Sequence, residues 1–143
     1  MHKIILALYL GFLLAACDQR QTATIKRDGF LIGLQGHELT STDGRFVAQW
    51  DRADGNALMH LSIAPTQVAD PVRSFFPPVF LPNDTQVRFI WVIDSPRVWV
   101  LSKNRDSRCY ELIGKSWIER SANQLADEHA AILRSMENLE KAG

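Results

Sequence analysis

Four histidines and two cysteines are the side chains best suited to chemistry in this chain of 143 residues. His37-Glu38 matches the first half of a zinc-protease signature, where two histidines four residues apart grip the metal and the glutamate beside the first acts as base. Ser41 stands where the second histidine belongs, and His60 and His129 are distant in sequence. The spacing therefore gives no metal site, and these histidines read as surface or partly buried residues, with His129 at the core edge of a helix. Gly29, Gly33 and Gly36 form the one glycine cluster, but inside and after a strand, not in the strand-to-helix context that aims backbone amides at a phosphate. No Gly-x-Ser-x-Gly elbow occurs, so nucleophilic catalysis would need Cys109 and a histidine brought together by the fold alone. The carboxylate pairs Asp51 with Asp54 and Asp127 with Glu128 fall in a turn and on a polar helix face. These patterns point away from an enzyme and assign no catalytic residue, no metal ligand and no bound cofactor.

The elements that must carry such residues are short. A strand is expected over 30–35. Segments 45–50 and 57–64 flank a spacer ending in Asp54-Gly55-Asn56, residues that tolerate positive φ, and predict a hairpin. Segments 86–93 and 97–102 are rich in Val, Ile, Phe and Trp around Asp94-Ser95-Pro96. Phe89, Trp91 and Ile93 share one face and Ile90 and Val92 the other, while Trp99 and Leu101 oppose Val98 and Val100. Strands apolar on both sides lie centrally, with something packed on each face. Cys109 falls in the next strand, where it reads as a small buried apolar residue.

From Ser116 the period changes. Ala122, Leu125, Ala126, His129, Ile132, Leu133, Met136 and Leu139 recur at three- and four-residue steps, which predicts an amphipathic helix of about six turns. Ser116 with Glu119 is a candidate capping box for it. The exposed face of the central hairpin is the expected partner of its apolar stripe. The fold class is α+β, an antiparallel β-sheet of about five to seven strands with this C-terminal amphipathic helix on one face.

Phe75-Phe76-Pro77-Pro78-Val79-Phe80-Leu81-Pro82 is the least ordinary segment. Its prolines cannot donate to a sheet ladder, which excludes a central strand, and its rings are too apolar for a solvated loop. Two readings stay open: a rigid connection whose rings cover one edge of the core, and a docking loop for a partner, with Phe75, Phe76, Pro77, Pro78, Phe80 and Leu81 as contacts. Trp50, Trp91, Trp99 and Trp117 read as core aromatics. Arg97, Lys103, Arg105 and Arg108 gather positive charge at the hairpin ends, a solvated turn unless it meets anionic headgroups.

The N-terminus states an address. His2 and Lys3 precede an apolar run over 4–16, shorter than the ~20 residues a spanning helix needs, and Asp18-Gln19-Arg20 ends it. This is the layout of a secretory signal. Leu14-Ala15-Ala16-Cys17 resembles the lipobox of bacterial lipoproteins, cleaved by a signal peptidase of type II. The resemblance implies cleavage before Cys17, a diacylglycerol thioether on its sulfur and often an N-acyl chain such as palmitate. Two or three chains, at about 0.8 kcal/mol per buried CH2, make a stable anchor. Asp18 resembles the signal that retains enterobacterial lipoproteins at the inner membrane, which implies the periplasmic face of that membrane, with the outer membrane as the alternative.

The expected organisation is a leader over 1–16, a lipidated N-terminus and tether over 17–28, and a single periplasmic domain over 29–143. The whole chain has 16 basic and 16 acidic residues, no field for steering a nucleic acid. The expected partners are the membrane, through the lipid, and a protein. The function expected is a non-catalytic, membrane-anchored binding or envelope factor of exclusion, immunity or stress type. The alternatives are an accessory subunit of an inner-membrane complex, its helix packed on a neighbour, and an envelope hydrolase.

Overall fold

Ten strands, a short 3-10 turn and one helix follow one another in the computed structural model, which describes residues 24–33, 38–52, 58–78, 80–82, 87–102 and 107–142. β1 (Thr24–Arg27), β2 (Phe30–Gly33), β7 (Val87–Val92), β8 (Arg97–Ser102), β9 (Arg108–Ile113) and β10 (Ser116–Arg120) form a six-stranded antiparallel sheet in the order β1-β2-β7-β8-β9-β10. β3 (Glu38–Thr40), β4 (Phe46–Arg52), β5 (Leu58–Pro65) and β6 (Phe80–Pro82) form a second sheet of four. Helix α1 (Ala126–Ala142) follows a 3-10 turn over Ala122–Leu125. The α+β class is as expected, but the strands divide between two sheets where one was anticipated.

β7 and β8 occupy the centre of the larger sheet, and their two apolar faces explain the three layers. Phe89, Trp91, Val98 and Val100 point toward the smaller sheet and pack with Leu39, Phe46, Ala48, Trp50, Leu61 and Ile63. Ile90 and Trp99, paired across the ladder, point the other way with Cys109 and meet Ile132 and Met136 of α1. Alternation with period two, read from the sequence, assigns each of these side chains to the layer it occupies. Leu133, expected in the helix stripe, is instead exposed.

Three local expectations are corrected. The tether expected over 17–28 is partly sheet: Thr24–Arg27 pairs with β2, and the connecting turn is Asp28-Gly29. Both turn residues have positive φ, 53° and 86°. That is the requirement of a two-residue type I′ hairpin, which Asp-Gly meets at low steric cost. The helix expected from Ser116 begins later, because Ser116–Arg120 is β10 and pairs with β9. There Trp117 is buried edge-on against Phe46 and Trp91, at 5.2 and 6.1 Å between ring centroids. The capping box is Ser121 with Gln124, not Ser116 with Glu119. Ser121 Oγ accepts from the Gln124 N–H and Gln124 Oε1 accepts from the Ser121 N–H, each at 3.2 Å.

Candidate functional site

The aromatic-proline segment meets the smaller sheet in two places. Ile63 and Phe75 exchange both backbone hydrogen bonds, at 2.9 and 2.8 Å, so Phe75 extends the sheet edge by one bridge. Its ring lies edge-on to Tyr110 of the other sheet at 5.7 Å and closes that side of the core. Pro77 is buried. Backbone 80–82 forms β6 beside β5, an edge position where the missing N–H of Pro82 is tolerated. Phe76 is the ring that faces out: it is 64 % exposed, with His60 tilted against it at 6.4 Å. The segment thus puts a core-covering ring and a displayed ring on adjacent residues. The side chains of Phe80 and Leu81 lie outside the described residues.

A cleft of about 300 Å3 opens at one end of the sandwich, between the turn leading into β4 and the turn joining β7 to β8. Ser41, Thr42 and Asp43 form one wall and Asp94, Ser95 and Pro96 the other. Asp43 accepts from Ser41 Oγ at 2.6 Å and from the Arg45 N–H at 3.0 Å, and these bonds, the hydroxyl first, hold its carboxyl below the usual carboxylate range. Arg45 grips Asp70 through two bonds of 2.8 and 3.0 Å and stacks over Phe46 at 4.7 Å. Those guanidinium bonds, then the Val72 N–H, hold Asp70 low as well. Arg45 is thereby committed, and the side chains of the two walls present hydroxyl and carboxylate oxygens.

Beneath α1 lies the main polar network. Arg97 donates to Glu128 at 3.1 and 2.6 Å and to Glu111 at 3.2 Å; Arg120 donates to the other oxygen of Glu111 at 3.0 Å. The Trp99 indole N–H also donates to Glu128, at 2.8 Å. His129 stacks on the same indole, 5.1 Å between centroids and 3° between planes, with Nε2 2.9 Å from Ser107 Oγ. Arg97, read from sequence as part of a solvated basic turn, instead fastens the helix to the sheet. Arg108 pairs with Glu119 at 3.0 Å, and Lys103 and Arg105 fall outside the described residues.

The remaining candidates stand apart. Cys109 is fully buried and its thiol is pushed up to about 12, chiefly by desolvation, so it carries no thiolate at neutral pH. His60 lies on β5 and His129 on α1, while His37 and Gly36 are outside the description. Gly29 sits in a hairpin turn and Gly33 ends β2, neither ahead of a helix. Among the described residues no group of three or more His, Cys, Asp or Glu is placed to hold a metal ion, and no helix is long and apolar enough to cross a membrane. Cys17 and Asp18 lie outside the described residues.

No family model, curated protein or solved structure matches this chain. The functional reading therefore rests on its own residues. Sequence reasoning did not anticipate the cleft or the Arg97 network. Both bring together residues from distant turns and strands, and neither leaves a spacing to read.

Proposed function

We propose that the chain is a lipid-anchored protein of the periplasmic face of the inner membrane that acts by binding a protein partner, without catalysis of its own. The observation that carries this is Leu14-Ala15-Ala16-Cys17 closing a short apolar leader, followed by Asp18. Phe76 supports the binding role, because its ring is exposed and the proline that follows it restricts the backbone, which lowers the entropy lost when a partner covers it. Burial of Ile132 and Met136 against the chain's own sheet favours this reading over an accessory subunit whose helix packs on a neighbour.

The test is fractionation with mass spectrometry of the native protein and of Cys17→Ala. The native protein should be found in the inner-membrane fraction with an acylated N-terminal cysteine, and Cys17→Ala should lose both lipid and membrane association. A photo-crosslinker at position 76 should then capture a protein from the anchored form. An unmodified sulfur on an intact leader would overturn the anchor, and an anchored form giving no crosslink at 76 would overturn the role of that ring.

A further inference from the structure

The geometry points to β10 as a self-pairing edge: a second copy of the chain lays its own β10 antiparallel beside it, centred on Trp117, and joins the two six-stranded sheets into one. This goes beyond the lipid-anchor reading and does not depend on it. β1, β10, β3 and β6 are the outermost strands of the two sheets. An open edge invites another strand unless brevity, proline, a bulge or charge blunts it. β3 has three residues, β6 has three and closes on Pro82, and β1 carries Lys26 and Arg27. β10 has five residues and no proline. Its own charges are drawn sideways to β9, Glu119 to Arg108 and Arg120 to Glu111, each at 3.0 Å. On the face that α1 covers elsewhere, Ile113 and Ile118 are diagonal neighbours across the β9-β10 ladder and stay 51 % and 38 % exposed.

Hydrogen-bond direction fixes what this edge offers. Leu112 N–H donates to Pro96 O at 2.9 Å, so the backbone of Leu112 faces β8 and that of Glu111 and Ile113 faces β10. Their partners Ile118 and Ser116 therefore bond inward, and Trp117 and Glu119 turn their N–H and C=O groups outward. A two-fold pairing must match outward groups with outward groups. The registers that do so over most of the strand are centred on Trp117, Ile118 or Glu119. Centring on Glu119 sets two carboxylates face to face, which is repulsive. Centring on Ile118 puts Ser116 against Arg120 and Lys115 against Ser121, with no opposite charges facing. Centring on Trp117 sets the exposed Lys115 of each copy opposite Glu119 of the other. Arg108 bonds only Oε1 of Glu119, so Oε2 is left for that lysine. One strand thus meets its own charge complement twice across a two-fold axis, which identifies the occupant as a second copy. The same register puts Ile118 opposite the small Ser116, and Ile113 and Ile118 of both copies line one apolar strip across the seam.

The test is sedimentation of the full native chain in excess detergent micelles, where two copies rarely share a micelle by chance. The native chain should dimerise. Lys115→Glu or Glu119→Lys turns both cross-strand pairs from attraction to repulsion and should weaken the dimer about tenfold, whereas an equimolar mixture of the two variants restores both pairs and should recover the native affinity. A monomeric native chain, or a mixture that associates no better than either variant alone, overturns the proposal. Glu119→Lys also gives up the bond to Arg108, so a second measurement leaves every charge in place. Ser116→Cys mixed with Ile118→Cys should form an intermolecular disulfide, read from the masses of the linked peptides; buried Cys109 does not compete. Directly opposed residues of a non-hydrogen-bonded pair lie about 4.5 Å apart at Cα, within the ~4.4–6.8 Å that a disulfide spans. Crosslinking of Ile118→Cys to itself in preference to the mixture would move the centre to Ile118 and overturn the charge-matched pairing.

Discussion

On one face of the central sheet, Trp91, Tyr110 and Trp117 pack against Phe46, Trp50 and Leu61 of the second sheet. There Trp50 Nε1, Tyr110 OH and Trp117 Nε1 are buried with no hydrogen-bond partner among the described residues, and only the Trp91 indole donates, to Leu39 O at 2.7 Å. On the other face a smaller apolar cluster around Ile90, Trp99 and Ile132 is ringed by paired groups: Arg97 with Glu111 and Glu128, Trp99 with Glu128, and Ser135 with Asp28 at 2.8 Å. The sheet-sheet face gains from area and aromatic shape and tolerates polar atoms left over. The helix-sheet face has less apolar area, and directional bonds settle where the helix lies. Burial is the stronger force, but it is non-directional; charge-assisted bonds add less and specify position.

The largest effect that tests this contrast is at Arg97. Removing it leaves Glu111 and Glu128 without the cation between them, in surroundings where the side chains of the three are 16 to 19 % exposed. Breaking a fully buried pair in this one-sided way costs about 3–5 kcal/mol, and partial solvation reduces that here to about 2–3 kcal/mol. Arg97→Ala should lose that much in urea unfolding, with α1 protecting its amides from exchange less than the sandwich does. In a double-mutant cycle, Arg97→Ala with Glu128→Ala should cost less than the two single losses added together. Full additivity would mean that the helix is held by Ile132 and Met136 alone.

An effect of opposite sign is expected on the other face. Tyr110→Phe removes a buried hydroxyl that has no partner among the described residues and keeps the ring that meets Phe75. Burial, ahead of the nearby Glu119 carboxylate, pushes the phenol up to about 12, which marks the site as poor in solvent. Relief of an unsatisfied group is worth about 1 kcal/mol, so Tyr110→Phe should match or exceed the native stability. A loss of similar size would show that the hydroxyl is bonded after all and that the two faces are alike.

The same contrast explains what the sequence revealed. Period-two alternation in 86–93 and 97–102 placed Phe89, Trp91, Ile90 and Trp99 on their observed faces, because hydrophobic patterning is a local signal. Division into two sheets was not legible, since nothing in 38–65 states which ladder it joins. The Ser116 helix start failed for a physical reason: Trp117 and Ile118 fit either period, and Gly114-Lys115, the two-residue turn that makes β10 a hairpin strand, is the cue that decides. Asp28-Gly29 was passed over in the same way, its aspartate being read as the end of a tether, although it is the turn of the β1-β2 hairpin. The Arg97 network was not legible, because its members come from β8, β9, β10 and α1, and no spacing links them. The aromatic-proline segment was half legible: exclusion from a central strand followed from proline, whereas which ring turns inward depends on the Ile63 bridge.

The smallest effect concerns a pair outside both clusters. Asp70 lies below its ordinary value of 3.8, first because Arg45 bonds its carboxylate and then because the Val72 N–H does. A depressed carboxyl adds stability that is complete above the ordinary value and disappears as pH falls through the lower value of the folded state. The Arg45 guanidinium is 43 % exposed although the Asp70 side chain is largely covered, so the contribution is small and is screened by salt. Thermal unfolding of the native protein should therefore decline more steeply than that of Asp70→Asn between pH 4 and 2, and the two slopes should converge in about 1 M salt, where the screening length is ~3 Å. The Arg97 deficit should persist in the same salt, because Glu111 and Glu128 face it across a partly desolvated interface. If salt erased both effects equally, the helix face would be a surface ion-pair cluster like that of Asp70, and the distinction between the two sides of the sheet would rest on apolar area alone.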